Sequence, residues 1–252
     1  MRLKNILVLA LVMMLVAFLD SCGKTALNYT GSKIATKEDF STGVIYTYTY
    51  NDDGSVNSIT QTASPSYTNS YFTYLHDTIL QENKEPGTGV FLNGMCYLTN
   101  SIGLADSAFG LKQLQNNTWS YTYDANYYPM QINYYTYNKL YAVDQYNIVG
   151  KNINSIEHFD STGHTHHWDY YAYYASNTNT LGNQAIGENY LGVQNANLIE
   201  YDIIITPVGS DLDTTDIIKY NYRYDTSGRP DTVATYHRNG QMIDSAIYTY
   251  TD

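Results

Sequence analysis

The sequence predicts an all-β protein: an antiparallel meander of hairpins that forms a curled or barrel-like sheet, preceded by a cleaved signal peptide. Apolar or aromatic residues alternate with polar ones in short runs along most of the chain, and turn motifs that end in Gly separate these runs. Of 252 residues, 29 are Tyr, against 6 Phe and 2 Trp. Tyr favours a half-buried pleated surface, where its ring packs and its hydroxyl reaches water.

Alternation is clearest at 46–50, where Tyr and Thr occupy opposite faces of a predicted strand. The Tyr side chains on such faces either pair across strands to hold the sheet together or form an exposed platform that stacks on sugar rings. The platform candidates are Tyr46, Tyr48, Tyr50, Tyr220, Tyr222 and Tyr224. Further strands are predicted at 70–75, 90–92, 95–98, 121–123, 131–137, 153–159, 165–173, 198–205, 232–237, 241–247 and 248–250.

Turn signals divide these runs. Segments 51–54, 160–163 and 225–228 begin with Asp or Asn and end with Gly, which suits a tight turn closed by a positive φ. Asn93-Gly94 predicts a two-residue hairpin turn, and 238–240 predicts another. Two stretches break the pattern: 104–117 is expected to be a loop with one helical turn, and 182–197, rich in Gly and Asn, is a candidate plug for one end of the sheet.

Two family resemblances rest on these motifs. The units YTYNDDG at 48–54, YTYD at 121–124 and YRYDTSGR at 222–229 resemble the hairpins of tyrosine–aspartate (YD/Rhs-type) repeats. The order of LNG at 92–94, YTYD at 121–124, LGVQNANL at 191–198 and YDTSGRP at 224–230 resembles a family of uncharacterised Bacteroidota lipoproteins with a porin-like fold. That second resemblance runs from about Tyr46 to the end. It implies a fold and an envelope location, and no activity.

The N-terminus predicts export. A short basic segment precedes an uncharged apolar run at 6–18, which is too short to span a bilayer, and Leu19-Asp20-Ser21-Cys22 follows it. This segment resembles a bacterial lipobox, which implies cleavage before Cys22 and a lipid on its sulfur. We therefore expect a signal peptide at 1–21, a lipid anchor and linker at 22–43, and a Tyr-rich β domain at 44–252. The protein is expected at the outer membrane, on either its periplasmic or its surface face.

Charge, cysteine count and the absence of catalytic motifs restrict the possible binding partners. The chain carries 13 basic and 24 acidic residues, for a net charge of −11, which disfavours nucleic acid. If Cys22 carries the lipid, Cys96 has no disulfide partner within the chain. No nucleophile elbow, phosphate loop, HExxH or dinucleotide motif is present, so no cofactor is expected. The expected partners are the membrane, through Cys22, and a glycan or an envelope protein.

Three motifs are candidate sites. In the run from His164 to Asp169, His164 and His166 lie on one face of a predicted strand, and His158 across the turn is a third candidate metal ligand. The alternative is a polar hairpin arm without metal. Asp211, Asp213 and Asp216 suggest either a calcium loop or a solvated acidic turn. Six Asp-Ser or Asp-Thr segments resemble the O-glycosylation sequon of exported Bacteroidota proteins, with acceptors at Thr78, Ser107, Ser161, Thr214, Thr232 and Ser245.

Three functions are consistent with these features. The first is a non-enzymatic envelope lipoprotein that binds a glycan or a protein, and the missing catalytic motifs favour it. The second is an envelope hydrolase whose carboxylates are brought together by the fold, because sequence alone does not give their separation. The third is a purely structural or assembly protein, which predicts no small-ligand cleft.

Overall fold

The computed structural model describes residues 31–62, 68–186, 188–208 and 211–251. The predicted signal peptide and Cys22 lie outside the described residues. Within them the chain forms one closed antiparallel barrel. Its strands are β1 (Ile34–Asp39), β2 (Val44–Tyr50), β3 (Val56–Thr62), β4 (Asn69–Tyr74), β5 (Thr78–Lys84), β6 (Phe91–Thr99), β7 (Ala105–Lys112), β8 (Asn117–Tyr123), β9 (Pro129–Thr136), β10 (Lys139–Val149), β11 (Asn152–Asp160), β12 (Thr165–Thr178), β13 (Asn197–Val208), β14 (Asp211–Tyr224), β15 (Pro230–His237) and β16 (Met242–Tyr250).

Each strand pairs with its neighbours in sequence, and β1 pairs with both β2 and β16 to close the barrel. At the closure, Lys37 lies opposite Tyr248 on one side and Tyr46 on the other. Closure removes the unpaired strand edges that would otherwise template aggregation. The predicted all-β antiparallel meander is confirmed, and its curled sheet is a complete barrel.

Side chains alternate between the two walls of this sheet. Tyr48, Tyr121, Tyr171, Tyr222 and Tyr248 share the inner wall, where burial raises the pKa of each phenol, that of Tyr48 to about 12. Thr side chains take several of the intervening outer positions of β2. Tyr suits the inner wall because a wide barrel interior offers room for large rings together with hydrogen-bond partners for their hydroxyls.

The loop between β12 and β13, residues 179–196 and here called the plug loop, lies across one end of the barrel. Its backbone bonds to Ile34 at the start of β1, to Tyr127 between β8 and β9, and to Lys151 between β10 and β11. A 3₁₀ turn at Asn189–Leu191 places Tyr190 inside the barrel, 3% exposed. Its ring centroid lies 4.8 Å from that of Tyr97. The predicted plug is therefore confirmed.

Tyr190 belongs to a buried apolar cluster on the inner wall of β3 to β7. The other buried members are Val56, Phe72, Ile79, Tyr97, Ala105 and Ala108. The core of this protein is therefore formed where a loop meets one wall, rather than by two packed sheets.

Several predictions about elements were wrong. Asn93-Gly94 is no hairpin turn but the middle of β6, where a Cβ on Gly94 would lie 2.2 Å from the backbone oxygen of Gln81. Segment 104–117 is mostly strand β7, whose small Ala105 and Ala108 belong to the same buried cluster as Tyr97 and Tyr190. Strands β1, β3, β5 and β10 were not predicted.

The boundaries of two segments also differ from expectation. Strand β1 lies inside the range 22–43 assigned to anchor and linker, because its pairing with β16 closes the barrel. Asp213 and Asp216 lie within β14 rather than in a loop. None of the helices in the described residues has the length and apolar character required to cross a membrane.

Candidate functional site

A cavity of about 450 Å³ opens on the outer wall near β13, β14 and β15. Tyr201 lies opposite Lys219, and Lys219 lies opposite Tyr236, so these side chains share the face that points away from inward-facing Tyr220. The cavity, here called the outer-wall pocket, is lined by Tyr201, Ile217, Lys219, Asn221, Tyr236, His237, Arg238 and Gly240.

The outer-wall pocket combines aromatic rings with positive charge. Lys219 Nζ lies 5.8 Å from the ring centroid of Tyr201. Lys219 and Arg238 contribute two cations, and none of the described lining residues is acidic, although the chain is strongly acidic overall. The pocket can therefore stack on a flat apolar surface and attract a negative group at the same time.

The inner wall of β10, β11 and β12 carries a second candidate site, here called the Asp–His cluster: Asp144, His158, His167 and Asp169. Nδ1 of His158 lies 2.6 Å from Oδ1 of Asp144, and its Nε2 lies 3.0 Å from Oδ2 of Asp169. Burial acts to lower the pKa of His158, but the two hydrogen bonds outweigh it and raise the pKa to about 9. His158 therefore carries a positive charge between two carboxylates at neutral pH.

His167 stacks on this imidazole. The ring centroids of His158 and His167 lie 4.1 Å apart and the planes differ by 15°. Burial, followed by the neighbouring charge of His158, lowers the pKa of His167. Groups whose pKa is shifted by burial together with a specific charged neighbour occur preferentially at functional sites.

A further carboxylate lies near the cluster. Burial first, and then Asp169 and Asp216, raise the pKa of Asp202 to about 6. One of its oxygens, Oδ1, is fully buried without a hydrogen-bond partner among the described residues. A hydrolase of this kind needs two carboxyl groups close to one another. Here one of the neighbouring acids, Asp169, is already paired with His158, which disfavours that role.

The plug loop contributes the most strongly desolvated acid. Burial raises the pKa of Glu188 to about 7. Burial first, and then the charge of Glu188 among smaller causes, raises the pKa of the inward-facing phenols of Tyr48, Tyr74, Tyr97 and Tyr190. No cation is among the causes that shift the pKa of Glu188, so its ionised form is costly.

The structure separates the predicted histidine ligands. His158 faces the barrel interior, whereas exposed His164 bonds Thr162 in the turn, with 2.6 Å between Nδ1 and Oγ1. A β-bulge next to His158 places His167 opposite it and leaves His166 exposed, with its Nδ1 2.8 Å from Nδ1 of His167. Sequence reasoning missed Asp144, since only the pairing of β10 with β11 brings it to His158.

The predicted Tyr platform lies mainly on the inner wall. The hydroxyls of Tyr50 and Tyr222 donate to the backbone oxygens of Ile34 and Ile199. Of the six platform candidates, only Tyr224 is exposed, to 38%. Among the predicted glycosylation acceptors, Ser161 and Thr214 are exposed and the other four are half-buried. The glycosylation of these residues stays a prediction.

Comparison with known proteins gives structural likeness alone. No protein-family model and no curated protein matches the sequence. A porin-like protein from Bacteroides uniformis ATCC 8492 superposes with a TM-score of 0.65 at 18% identity, over 89% of this chain and 99% of that one. A porin-like protein from Bacteroides vulgatus ATCC 8482 gives 0.57 at 12% identity, over 87% and 99%.

A third structure, TcdB2-TccC3-Cdc42, gives a TM-score of 0.25 over 15% of its chain. That value is too low for a comparison of folds, so the likeness to tyrosine–aspartate repeats stays a prediction from sequence. The alignments span 99% of each Bacteroides chain. The porin-like fold that the order of sequence motifs implied is therefore confirmed. The chain has a porin-like barrel fold.

Proposed function

We propose that this protein is a non-enzymatic lipoprotein of the cell envelope that binds an acidic glycan in its outer-wall pocket. The export signal and Cys22 support the location, and the porin-like fold is consistent with it. The observation that carries the binding role is a pocket in which two Tyr rings, one Asn amide and two cations meet.

The chemistry of the pocket favours this ligand class. The rings of Tyr201 and Tyr236 offer apolar faces to the carbon side of a sugar ring, and Asn221 offers an amide for its hydroxyls. Lys219 and Arg238 attract a carboxylate or sulfate group on the sugar. The volume of about 450 Å³ falls within the range of small-ligand sites.

The test measures migration of the whole chain, purified in detergent, through gels that contain a neutral or an acidic polysaccharide. We expect retardation by the acidic polymer, weakened by salt because the cations contribute. Tyr201→Ala and Lys219→Ala should each weaken binding at least tenfold, a loss of about 1.4 kcal/mol.

A matched control exists on the same wall. Lys84 Nζ lies 5.3 Å from the ring centroid of Tyr71, the same kind of pair as Lys219 and Tyr201 but outside the pocket. Tyr71→Ala should bind as the wild type does. Equal losses in Tyr71→Ala and Tyr201→Ala, or no retardation by any polymer, would refute the pocket as a glycan site and favour assembly with envelope proteins.

A second candidate function, hydrolysis of an envelope polymer, is favoured by one observation: the raised pKa of Asp202 beside Asp169 and Asp216. The same protein and the same polysaccharides also test this alternative. New reducing ends released by the wild type and not by Asp202→Asn would replace the binding role with a catalytic one, whereas an unchanged polymer retains the binding role.

A further inference from the structure

The topology brings the Asp–His cluster together from three neighbouring strands. Asp144 lies opposite His158, and His158 lies opposite His167. Asp169 follows His167 by two residues on the same inward face of β12. One ligand atom from each of His158, His167 and Asp169 lies within 4.8 Å of the other two.

We propose that the Asp–His cluster is a binding site for a divalent transition-metal ion such as Zn²⁺, with His158, His167 and Asp169 as ligands. Two imidazole nitrogens and a carboxylate oxygen form a donor set that zinc accepts, and a fourth position stays open to water or to a ligand in the barrel. This set differs from His158, His164 and His166, which the sequence predicted.

Asp144 is placed to orient the site. Its Oδ1 lies 2.6 Å from Nδ1 of His158, which leaves Nε2 as the ligating atom. A carboxylate on the second ring nitrogen of a ligating His fixes the orientation of the ring and strengthens it as a ligand. Nε2 points at Asp169, at 3.0 Å, so the ion takes the place of the Nε2 proton of protonated His158, which is released to solvent, and this hydrogen bond is lost.

Metal binding also requires a movement that the cluster allows. The nitrogen lone pairs of the two stacked imidazoles lie in nearly parallel ring planes and do not converge on one point. The ring of His167 must therefore rotate out of its stack on His158 to point a nitrogen at the ion. His167 is half-buried, with 29% of its side chain exposed, and its Nε2 lies 4.0 Å from Oδ1 of Asp169. His167 and Asp169 are therefore close enough to share one ion once the ring has rotated.

The experiment titrates the whole chain, purified in detergent and stripped with chelator, with ZnCl₂ in a calorimeter. We expect one ion per chain. Co²⁺ is a second probe, because its visible absorption reports nitrogen ligands and tetrahedral geometry. His167→Phe preserves the ring that stacks on His158 and removes its nitrogens, and Asp169→Asn removes the carboxylate charge. Each should weaken Zn²⁺ binding at least tenfold.

The control variant is His164→Ala, which removes the exposed imidazole of the adjacent turn and should bind Zn²⁺ as the wild type does. Thermal melting followed by circular dichroism identifies variants that do not fold, and His167→Phe is chosen because the aromatic stack survives. The proposal is overturned if the wild type shows no saturable Zn²⁺ binding, or if His164→Ala abolishes binding while folded His167→Phe retains it.

Discussion

At the scale of single residues, the barrel interior contains charges whose protonation depends on burial. Glu188 on the plug loop is the clearest case, because desolvation alone raises its pKa to about 7. Its neighbours are phenols, which stay neutral at that pH and offer no opposite charge. The folded protein therefore holds a proton on Glu188 that the unfolded chain releases near pH 4.5.

The pH dependence of the free energy of unfolding tests this difference in proton binding. Between about pH 4.5 and 7 the folded state binds more protons than the unfolded state, so stability falls as the pH rises through this window. Glu188→Gln removes the cost of ionisation. We expect the variant to match the wild type at pH 4 and to exceed it at pH 8 by on the order of 3 kcal/mol.

Urea unfolding at pH 4, 6 and 8 measures the effect. Glu85→Gln is the control, since Glu85 lies exposed in the turn between β5 and β6. It should leave the difference between pH 4 and pH 8 as it is in the wild type. The same pH dependence in Glu188→Gln and the wild type would show that Glu188 is not the group responsible.

At the scale of elements, small residues explain why two segments were mistaken for turns or loops. Gly94 lies in β6 where its neighbour Gln81 leaves no room for a Cβ. Ala105 and Ala108 in β7 are almost fully buried, in the same apolar cluster as Tyr97 and Tyr190. Gly suggests a turn in a sequence and Ala does not indicate a strand. The backbone of β5 beside Gly94 and the buried cluster around Tyr97 and Tyr190 account for the small residues here.

Strand β1 is the element that decides whether the sheet is closed. Its backbone pairs with β2 on one side and with β16 on the other. A chain that begins at Val44 lacks β1 and leaves the edges of β2 and β16 without partners. We expect this truncated chain to associate into oligomers, because unpaired edges template strand addition.

Light scattering after size-exclusion chromatography checks this expectation. A chain that begins at Gly31 is the control, because it retains β1 and should elute as a single discrete species. If the chain from Val44 elutes in the same way and unfolds as cooperatively as the control, β1 is dispensable and the domain boundary expected from sequence was adequate.

At the scale of the whole molecule, the proposed attachment to the envelope depends on Cys22, which lies outside the described residues. The sequence has two cysteines, and the other one, Cys96, is buried in β6 with 5% of its surface exposed. If Cys22 carries the lipid, Cys22→Ser should abolish incorporation of labelled fatty acid and release the protein from the membrane fraction. Cys96→Ser should leave both unchanged.

Labelled palmitate supplied to growing cells, followed by fractionation, measures both results. A Cys22→Ser protein that stays labelled would remove the lipid anchor from the proposal. The glycan binding proposed for the outer-wall pocket does not depend on this outcome, since Tyr201, Lys219 and Tyr236 are positioned by the pairing of barrel strands.

Much of the architecture follows from the sequence itself. The period of two in Tyr46–Tyr50 places the Tyr side chains on one face whatever the partner strand, and Asp225 with Gly228 makes its own turn, where Asp225 Oδ1 accepts the backbone N–H of Ser227 at 2.9 Å. These are local properties of dihedral angles and short hydrogen bonds, so neighbouring residues suffice to specify them. An antiparallel meander follows directly from a series of such units.

The sites were decided by contacts between residues far apart in the chain. Asp144, His158 and His167 meet through the pairing of three strands, and a bulge beside His158 selects His167 instead of His166. A shift of one residue in a strand moves a side chain to the other wall, and sequence periodicity does not locate a bulge. The sequence by itself determined the hairpins and their Tyr faces, whereas barrel closure, the plug and both candidate sites depend on long-range register.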